Sequence, residues 1–312
     1  MTAAEVTIPL KYTICMLACG TMNSAVLAGV LDSLASGSTP SGTDAADVPV
    51  PTRFLCCVKR DESAARLRGQ FGESVEVYQH DHASVVRQAD VVVLGCKPQL
   101  LDDVLSGRSM QEALRGKILI SVLAGKTLRQ IQQVCGPDTY VIRAMPNTPA
   151  KIRQGMTVIS FPTLPSPSSS VASLADTLPA VMAAPVVRPA VQWVFSQVGR
   201  ALVLDEKHID ACTALSGSGP AFACVMLEAM TDGGVMMGLP FAVAQELAAQ
   251  TMQGAARMVL DGNHPAQIRN AVTTPGGCTI GGLLVMEDGK IRSTIARSIQ
   301  EATNIASSLG KK

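Results

Sequence analysis

The hydrophobic positions divide the chain into two parts with different periods. In the first part, continuous apolar runs rich in β-branched residues alternate with helical stretches, as in a parallel sheet covered on both faces. Strands are predicted at YTICMLA, RFLCCVK, VEVY, DVVVLGC, KILISVLA and TYVIRAM. The first helix is predicted over TMNSAVLAGVLDSLA, residues 21–35. This alternation predicts an α/β fold for the first part of the chain.

From about residue 190 the strand signal fades and helical periodicity replaces it. Two of the predicted helices, within residues 239–260 and near the C-terminus, carry apolar stripes. The stripes are Ala244, Leu247, Ala248, Thr251, Met252, Ala255, Met258 and Val259 in one helix, and Ile291, Ile295, Ile299, Ala302 and Ile305 in the other. An intertwined homodimer and packing within one chain are both able to cover them.

Two stretches rich in Ser, Pro and small residues, 36–51 and 161–189, are predicted to be flexible excursions. The second of them indicates where the first part of the chain finishes. We therefore predict two domains, residues 1–189 and residues 190–312.

The turn after the first strand lies where dinucleotide-binding folds carry three glycines. These places hold Ala18, Gly20 and Asn23. Gly20 occupies the place where any side chain would meet the phosphates. Ala18 is compatible with the turn if its φ is negative, and the larger Asn23 is expected to loosen the packing of helix on strand. Taken alone, the motif also fits an ordinary strand-to-helix turn.

Composition and charge narrow the class of partner. Charged residues make up 16% of the chain and the formal net charge is +1, so no basic surface favours nucleic acid. No apolar run approaches the roughly 20 residues that cross a bilayer, and the N-terminal residues lack the pattern of a secretion signal. We expect a soluble cytoplasmic protein with a small-molecule partner.

The nine cysteines include no C-x-x-C pair and no histidine partner at zinc spacing. Buried reduced thiols are therefore expected, and no metal site. Adjacent Cys56 and Cys57 lie in a predicted strand and are expected to point to opposite faces of the sheet.

Five blocks together carry a family resemblance: VVVLGCKPQ, LISVLAGKTL, VIRAMPNTPA, TALSGSGPAFACVMLEAMTDGGVMMGLP and HPAQIRNAVTTPGGCTIGGLLVMEDGKIRS. In their order and spacing, from about residue 12 to residue 308, the sequence closely resembles the pyrroline-5-carboxylate reductase family. The resemblance implies an N-terminal Rossmann domain and an all-α C-terminal domain that interlocks with its twin in a homodimer or a larger homo-oligomer. It also implies reduction of the cyclic imine pyrroline-5-carboxylate to proline by NADPH or NADH, the last step of proline biosynthesis.

The resemblance assigns a set of residues to the cofactor. They are Gly20, Thr21 and Met22 at the pyrophosphate, Lys59 and Arg60 at the adenosine ribose or phosphate, Cys96, Lys97 and Pro98 after the fourth strand, Ala124 and Gly125 after the fifth, and Asn147 near the nicotinamide. His82, which precedes the fourth strand, is assigned to the cofactor as well. Basic residues at the end of the second strand favour NADP, although solvated charges are the alternative for them. Packing against the next helix is the alternative for Lys97. The chain departs from its relatives at Ala18 and Asn23, and at His82, where some have asparagine.

The resemblance also assigns the turn TTPGGCT to the substrate carboxylate, through Gly276, Gly277, Cys278 and Thr279. Both glycines are expected to expose N–H groups at a helix start, which favours an anion. Thr279 is the catalytic candidate, because its hydroxyl is able to hydrogen-bond the ring nitrogen and pass it a proton from water. Helix capping is its alternative role.

Three further expectations concern the second part of the chain. Ser218, Gly219 and Pro220 open a helix that the family packs near the site. His208 and His264 are expected at the surface or as helix caps.

Three other functions compete with this interpretation. β-Hydroxyacid dehydrogenases share the two-domain plan but use a helix-borne lysine, and no lysine occurs between Lys207 and Lys290. A non-catalytic paralogue would explain Ala18 and Asn23, but it has no need to retain TTPGGCT, CKPQ and MPNTP. A reductase of a related cyclic imine stays open, because the residues that set ring size are not identified.

Overall fold

The computed structural model describes residues 4–37, 48–162 and 181–309. They form two compact units. The first unit extends to Gly217 and includes the chain from Asn304 onwards, and the second is Ser218–Thr303.

The first unit is built on parallel strands. In the described part of the chain the strands are β1 Ala4–Val6, β2 Lys11–Leu17, β3 Val50–Cys57, β4 Glu76–Tyr78, β5 Val91–Leu94, β6 Ile118–Ser121, β7 Tyr140–Met145, β8 Gly155–Ser160, β9 Val181–Ala183 and β10 Gly199–Val203. Eight of them form one sheet in the order β10-β8-β7-β6-β5-β2-β3-β4. From β4 to β7 all neighbours are parallel, in the order of a Rossmann sheet. The predicted α/β class and all six predicted strands are confirmed.

Helices connect these strands and cover the sheet. In the first unit they are α1 Thr21–Ala35, α2 Asp61–Phe71, His82–Arg87, Leu101–Leu105, Arg108–Leu114, Leu128–Cys135, Val187–Ser196 and Ile209–Cys212. The helix α1 has the predicted bounds. Asp61 and Glu62 lie in the first turn of α2, where negative charge opposes the positive end of the helix dipole.

Apolar side chains pack on both faces of the sheet. Ile14 and Met16 of β2 point into a cluster with α1 and the helix Val187–Ser196. Cys15 and Leu17 point into a cluster on the other face, with the helices Leu101–Leu105 and Arg108–Leu114. Cys56 belongs to the first cluster and Cys57 to the second, which confirms that they face opposite sides. Burial on both faces explains why these strands are continuously apolar.

The structure adds strands that the apolar pattern does not predict. β8 runs antiparallel to β7, and β10 pairs parallel with β8. The side chains of β10 alternate between half-buried and exposed, so this edge strand lacks the continuous apolar run of the inner strands. Because β10 follows residue 189, the sheet continues past the predicted end of the first domain.

Parts of the two predicted excursions belong to regular elements of the described chain. Their residues 38–47 and 163–180 lie outside the described residues. Of the described remainder, β3 begins at Val50, opposite Lys11, and β9 pairs in parallel with β1. The prediction of flexible excursions is therefore wrong at these ends, because strand partners fix them.

The second unit is helical, as predicted for the C-terminal part. The remaining helices of the described chain are Gly219–Met236, Phe241–Leu260, Pro265–Ala271, Cys278–Asp288 and Ile291–Leu309. In the stripe of Phe241–Leu260, Ala244 and Ala248 are buried, whereas Leu247 is 54% exposed and Met258 is 46% exposed. Packing within one chain therefore leaves much of this stripe uncovered. Across the described ranges, no helix is both long and apolar enough to span a bilayer.

Candidate functional site

The loop between β2 and α1 turns through a left-handed residue. Ala18 has a φ of 58°, so the condition under which an alanine fits this turn without cost, a negative φ, is not met. The N–H of Gly20 donates to the Ala18 carbonyl at 2.7 Å, and the N–H of Cys19 donates to the Cys57 carbonyl at 3.0 Å. These bonds close a tight turn against the end of β3. An alanine in this region costs about 1 kcal/mol relative to its preferred conformations, and a glycine would avoid most of that cost.

Asn23 fills space that Gly95, the residue after β5, leaves open. Its side chain is buried, and its Nδ2 donates to the Val93 carbonyl at 3.0 Å, in β5. A Cβ on Gly95 would lie 2.6 Å from the Asn23 amide group. The expectation that Asn23 loosens the packing is therefore wrong, because Gly95 makes room for it and a hydrogen bond joins α1 to β5.

Gly20 begins α1 and leaves its first turn open. It is the N-cap residue, and no side chain caps the helix, so the first N–H groups remain available to an anion. A Cβ on Gly20 would meet only the Ala18 and Gly95 carbonyl oxygens, each at 3.9 Å. Packing within the protein does not require glycine here. A phosphate that must approach the backbone closely does require it.

The loops after β2, β5 and β6 share the carboxyl edge of the sheet. The strand order reverses between β2 and β5, and doubly wound folds bind their ligands at this point. The structure therefore brings the predicted cofactor residues of these three loops to one edge. They are Gly20, Thr21 and Met22 after β2, Cys96, Lys97 and Pro98 after β5, and Ala124 and Gly125 after β6.

Lys97 and Cys96 differ in what they offer at this edge. Lys97 is exposed and its backbone is extended (φ −68°, ψ 143°) before Pro98, as predicted. The Cys96 thiol is half-buried, and burial raises its pKa to about 11. At neutral pH this thiol is therefore uncharged and is no nucleophile.

Three further predicted residues gather at the end of β3. Lys59 and Arg60 are exposed, and neither forms an ion pair with a described residue. His82 is half-buried, and its Nε2 lies 3.2 Å from the carbonyl oxygen of Val58, the residue before Lys59. The geometry thus places two unpaired cations and an imidazole beside the strand end.

Asn147 is buried, and both its amide nitrogen and its amide oxygen form hydrogen bonds within the first unit. Its Nδ2 donates to the Ser216 carbonyl at 2.9 Å, and its Oδ1 accepts from the Met156 N–H at 2.8 Å. Ser216 belongs to the π-helical turn Thr213–Gly217, a type of turn that often occurs at functional sites. Asn147 therefore holds this turn, and its contact with the nicotinamide stays a prediction.

The turn that is predicted to bind the substrate lies in the second unit, before the helix Cys278–Asp288. The N–H of Gly277 donates to the Thr274 carbonyl at 3.0 Å, and Gly276 has a φ of 66°. With Pro275 between them, these are features of a type II β-turn. The expectation that both glycines expose their N–H groups is therefore wrong for Gly277.

Thr279 is the second residue of that helix and is half-buried. Gly277 is the N-cap residue, and no side chain caps the helix. The alternative of Thr279 as a helix cap is therefore excluded. The first N–H groups of the helix are available to a carboxylate, and the Thr279 hydroxyl has no hydrogen-bond partner among the described residues.

The cysteines, and the histidines His208 and His264, differ in exposure and in contacts. Each of the nine thiols is free, five are buried, and Cys224 and Cys278 are exposed, so the expectation of burial is wrong for these two. His264 caps the helix Pro265–Ala271 by accepting from the Ala266 N–H at 3.2 Å, and His208 is exposed. Within the described ranges, no group of three or more His, Cys, Asp or Glu side chains is arranged to hold a metal ion.

Sequence reasoning missed two residues that contact the loop between β2 and α1 or the first turns of α1. Gly95 admits Asn23, and Arg66 of α2 contacts the carbonyl of Cys19 and the hydroxyl of Ser24. Gly95 gave no signal because its partner is distant in sequence. Arg66 gave none because an exposed arginine on a surface helix is ordinary.

Comparisons with known proteins agree with this arrangement. A family model described as pyrroline-5-carboxylate reductase dimerisation matches residues 206–309, and one described as NADP oxidoreductase, coenzyme F420-dependent, matches residues 13–125. The pyrroline-5-carboxylate reductase of Schizosaccharomyces pombe is 48% identical over 300 residues, which span 95% of this chain and 99% of the relative. The chain belongs to the pyrroline-5-carboxylate reductase family.

Solved structures share the fold of this reductase family member. That of the pyrroline-5-carboxylate reductase from Coxiella burnetii has a TM-score of 0.77 at 26% identity, and covers 96% of this chain and 99% of its own. The Plasmodium falciparum enzyme with NADP bound has a TM-score of 0.73 at 21% identity, and covers 96% and 98%. At this identity the second comparison concerns the fold alone.

Proposed function

We propose that this chain reduces L-1-pyrroline-5-carboxylate to L-proline with NADPH or NADH, the last step of proline biosynthesis. The observation that carries the proposal is the uncapped start of α1, with Gly20 open to a ligand at the switch point of the sheet. It occurs in a chain that is 48% identical to a pyrroline-5-carboxylate reductase over nearly its whole length.

The residues at the carboxyl edge of the sheet fit a dinucleotide. When bound, the cofactor supplies the hydride. The N–H groups of the first turn of α1 would hold its diphosphate, and the loops after β5 and β6 would line its path. The proposed contacts are Gly20, Thr21, Met22, Lys59, Arg60, His82, Cys96, Lys97, Pro98, Ala124, Gly125 and Asn147.

The cations at the end of β3 support a preference for NADPH. Lys59 and Arg60 are exposed and unpaired within the described residues, so their charge is free for a phosphate on the adenosine ribose. An acidic residue at this place would favour NADH instead. Asp61 is the nearest acid in sequence, and it accepts a hydrogen bond from Gln79.

The turn Thr274–Gly277 and the helix that follows it would bind the substrate carboxylate. Gly276 supplies the left-handed turn, and Cys278 and Thr279 present N–H groups at the helix start. The positive end of the helix dipole favours the anion. The turn requires a glycine at position 277, because a Cβ there would clash with the Thr274 hydroxyl.

Thr279 would assist the protonation of the ring nitrogen. Reduction of the C=N bond places a hydride on the ring carbon and requires a proton on the nitrogen. The Thr279 hydroxyl has no other partner among the described residues, so it is free to hydrogen-bond the ring nitrogen and relay a proton from water. The reaction does not need a general acid with a strongly shifted pKa. Holding the hydride donor and the imine together supplies much of the rate acceleration.

Exposed apolar side chains on the helices Phe241–Leu260 and Cys278–Asp288 support a homodimer. Leu247, Met258 and Val285 are each more than 40% exposed, and the matched family model is one of dimerisation. A second copy, alone or in a larger homo-oligomer, would cover these side chains. Under this proposal residues 1–189 bind the dinucleotide, residues 190–312 provide dimerisation and the substrate turn, and the protein works in the cytoplasm.

The test is a set of initial rates with purified full-length protein. NADPH and NADH oxidation are each followed with pyrroline-5-carboxylate and with its six-membered homologue. We expect the highest kcat/KM for the five-membered imine with NADPH. A higher value for the six-membered imine would reassign the substrate, and no turnover with any pair would leave the chain as a non-catalytic member of its family.

A further inference from the structure

The strained loop between β2 and α1 is contacted by a side chain from another helix. Arg66 lies in the middle of α2, and both of its Nη atoms lie 3.2 Å from the Ser24 hydroxyl oxygen. Its Nη2 also lies 3.4 Å from the Cys19 carbonyl oxygen. Cys19 follows the left-handed Ala18, and Ser24 is in the first part of α1. One guanidinium therefore bridges the two sides of the loop.

Ser24 extends this contact to the backbone at Gly20. The Ser24 hydroxyl donates to the Gly20 carbonyl at 2.8 Å, so its lone pairs are free to accept from Arg66. The Ser24 N–H donates to the same carbonyl at 3.0 Å. Arg66 thus fixes the Cys19 carbonyl directly and the Gly20 carbonyl through Ser24.

Most hydrogen bonds of the Arg66 guanidinium are with the loop and the first turns of α1. Among the described residues it has no carboxylate partner, and its other contact is Gln70 Oε1 at 3.4 Å. The pKa of the Cys19 thiol is lowered, first by its hydrogen bond with Cys56 and further by Ser24 and the nearby Arg66 charge. The positive charge of Arg66 therefore acts electrostatically on Cys19, the residue after the left-handed Ala18.

Two opposing effects meet in this loop. The alanine at position 18 disfavours the left-handed turn, while a hydrogen bond from a charged donor is stronger than one between neutral groups and favours it. We propose that Arg66 is a positioning residue of the cofactor loop, which holds Ala18, Cys19 and Gly20 in the turn that presents the start of α1 to a dinucleotide. The consequence for cofactor binding rests on the proposed function, whereas the effect on the loop does not.

The first test needs no cofactor. Amide hydrogen exchange of residues 18–24 is measured in the free full-length protein and in Arg66→Met, which keeps an unbranched side chain without charge. We expect exchange in this segment to become about tenfold faster, the effect of losing one charged hydrogen bond. Arg68→Met is the matched control, because Arg68 lies on the same helix and contacts the Val77 carbonyl instead. Unchanged exchange at residues 18–24 in Arg66→Met would overturn the proposal.

The second test couples Arg66 to Ala18 by a double-mutant cycle. The Kd values of NADPH and NADH are measured by fluorescence titration for the wild type, Arg66→Met, Ala18→Gly and the double variant. Arg66→Met is expected to weaken both cofactors about tenfold, and only about twofold when Ala18→Gly has relieved the strain. Arg66→Lys keeps the charge but loses the planar, multiply donating guanidinium, and its Kd values are expected to lie between those of the wild type and Arg66→Met.

Two outcomes of the cycle would overturn the positioning role. A loss of equal size with and without Ala18→Gly would mean that Arg66 contacts the cofactor directly. A loss confined to NADPH would mean that Arg66 recognises the adenosine phosphate. If the wild type binds neither cofactor, the proposed function fails, and the exchange experiment still decides whether Arg66 holds the loop. If Arg66→Met does not fold, Arg66→Lys decides both tests.

Discussion

A Cβ at Gly20 would meet the rest of the protein only at ordinary contact distances. A substitution there is therefore able to disturb cofactor binding without disturbing the fold. We predict that Gly20→Val folds with a melting temperature close to that of the wild type and raises the KM of NADPH at least tenfold. Gly20→Ala, with a single methyl group, is the matched control and should show a smaller increase. Unchanged cofactor kinetics in Gly20→Val would remove this loop from the cofactor site.

Thr279 offers a test of the proton step. Thr279→Ala is expected to lower kcat about 10- to 100-fold with little change in the Kd of NADPH, because under the proposed function the hydroxyl contacts the substrate and not the cofactor. Thr279→Ser keeps the hydroxyl and should retain most of the activity. A defect confined to cofactor binding, or equal defects in both variants, would assign Thr279 a structural role.

At the scale of residues, the sequence identifies candidate site residues but not their backbone conformations or contacts. The family resemblance finds Gly20 and Thr279, yet the sign of φ at Ala18 depends on hydrogen bonds to Cys57 and within the turn. The fit of Asn23 depends on Gly95, which only the fold brings near. Such facts depend on contacts between distant residues, which the pattern of one chain does not contain.

The edge strand β4 is joined to β3 by an ion pair whose effect depends on pH. Arg53 Nε lies 2.6 Å from Glu76 Oε1. The Arg53 guanidinium, and next the Tyr78 hydroxyl, lower the pKa of Glu76 from 4.5 to about 2. Because the folded pKa is depressed, this carboxylate stabilises the fold above pH 4.5, and the contribution is lost as the pH falls towards 2.

We predict that Arg53→Met destabilises the protein by less than about 1 kcal/mol near neutral pH, since both side chains are partly exposed to solvent. The difference from wild type should shrink between pH 4.5 and about 2. Urea unfolding across this range measures it, with Lys151→Met, an exposed lysine without an ion pair among the described residues, as the control. A difference that does not change with pH would contradict the ion-pair account.

At the scale of elements, burial decides what the sequence reveals. Inner strands such as β5 are apolar on both faces, so their runs are visible in the sequence. In the edge strand β10 the side chains alternate between half-buried and exposed. β1 and β9 have three residues each, and each is a strand only through its pairing with the other. These strands carry no local signal, because their stability comes from a partner that is far along the chain.

The whole molecule is expected to depend on a second copy. Leu247→Glu places a charge on the exposed stripe of Phe241–Leu260, and we predict that it weakens self-association at least tenfold in sedimentation. Leu10→Glu is the control, because Leu10 is 57% exposed in the first unit against 54% for Leu247. An unchanged sedimentation profile for Leu247→Glu would exclude this stripe from the interface.

The proposed reaction transfers a hydride from the nicotinamide to the ring carbon of the imine, and isotope labelling follows that hydride. NADPH that carries deuterium at both positions of nicotinamide C4 is incubated with pyrroline-5-carboxylate and the purified protein, and the product is analysed by mass spectrometry. We predict proline that is heavier by one deuterium, located on the ring carbon of the former C=N bond. Oxidation of the cofactor without labelled proline, or the absence of any reaction, would contradict the claim that this chain is a pyrroline-5-carboxylate reductase.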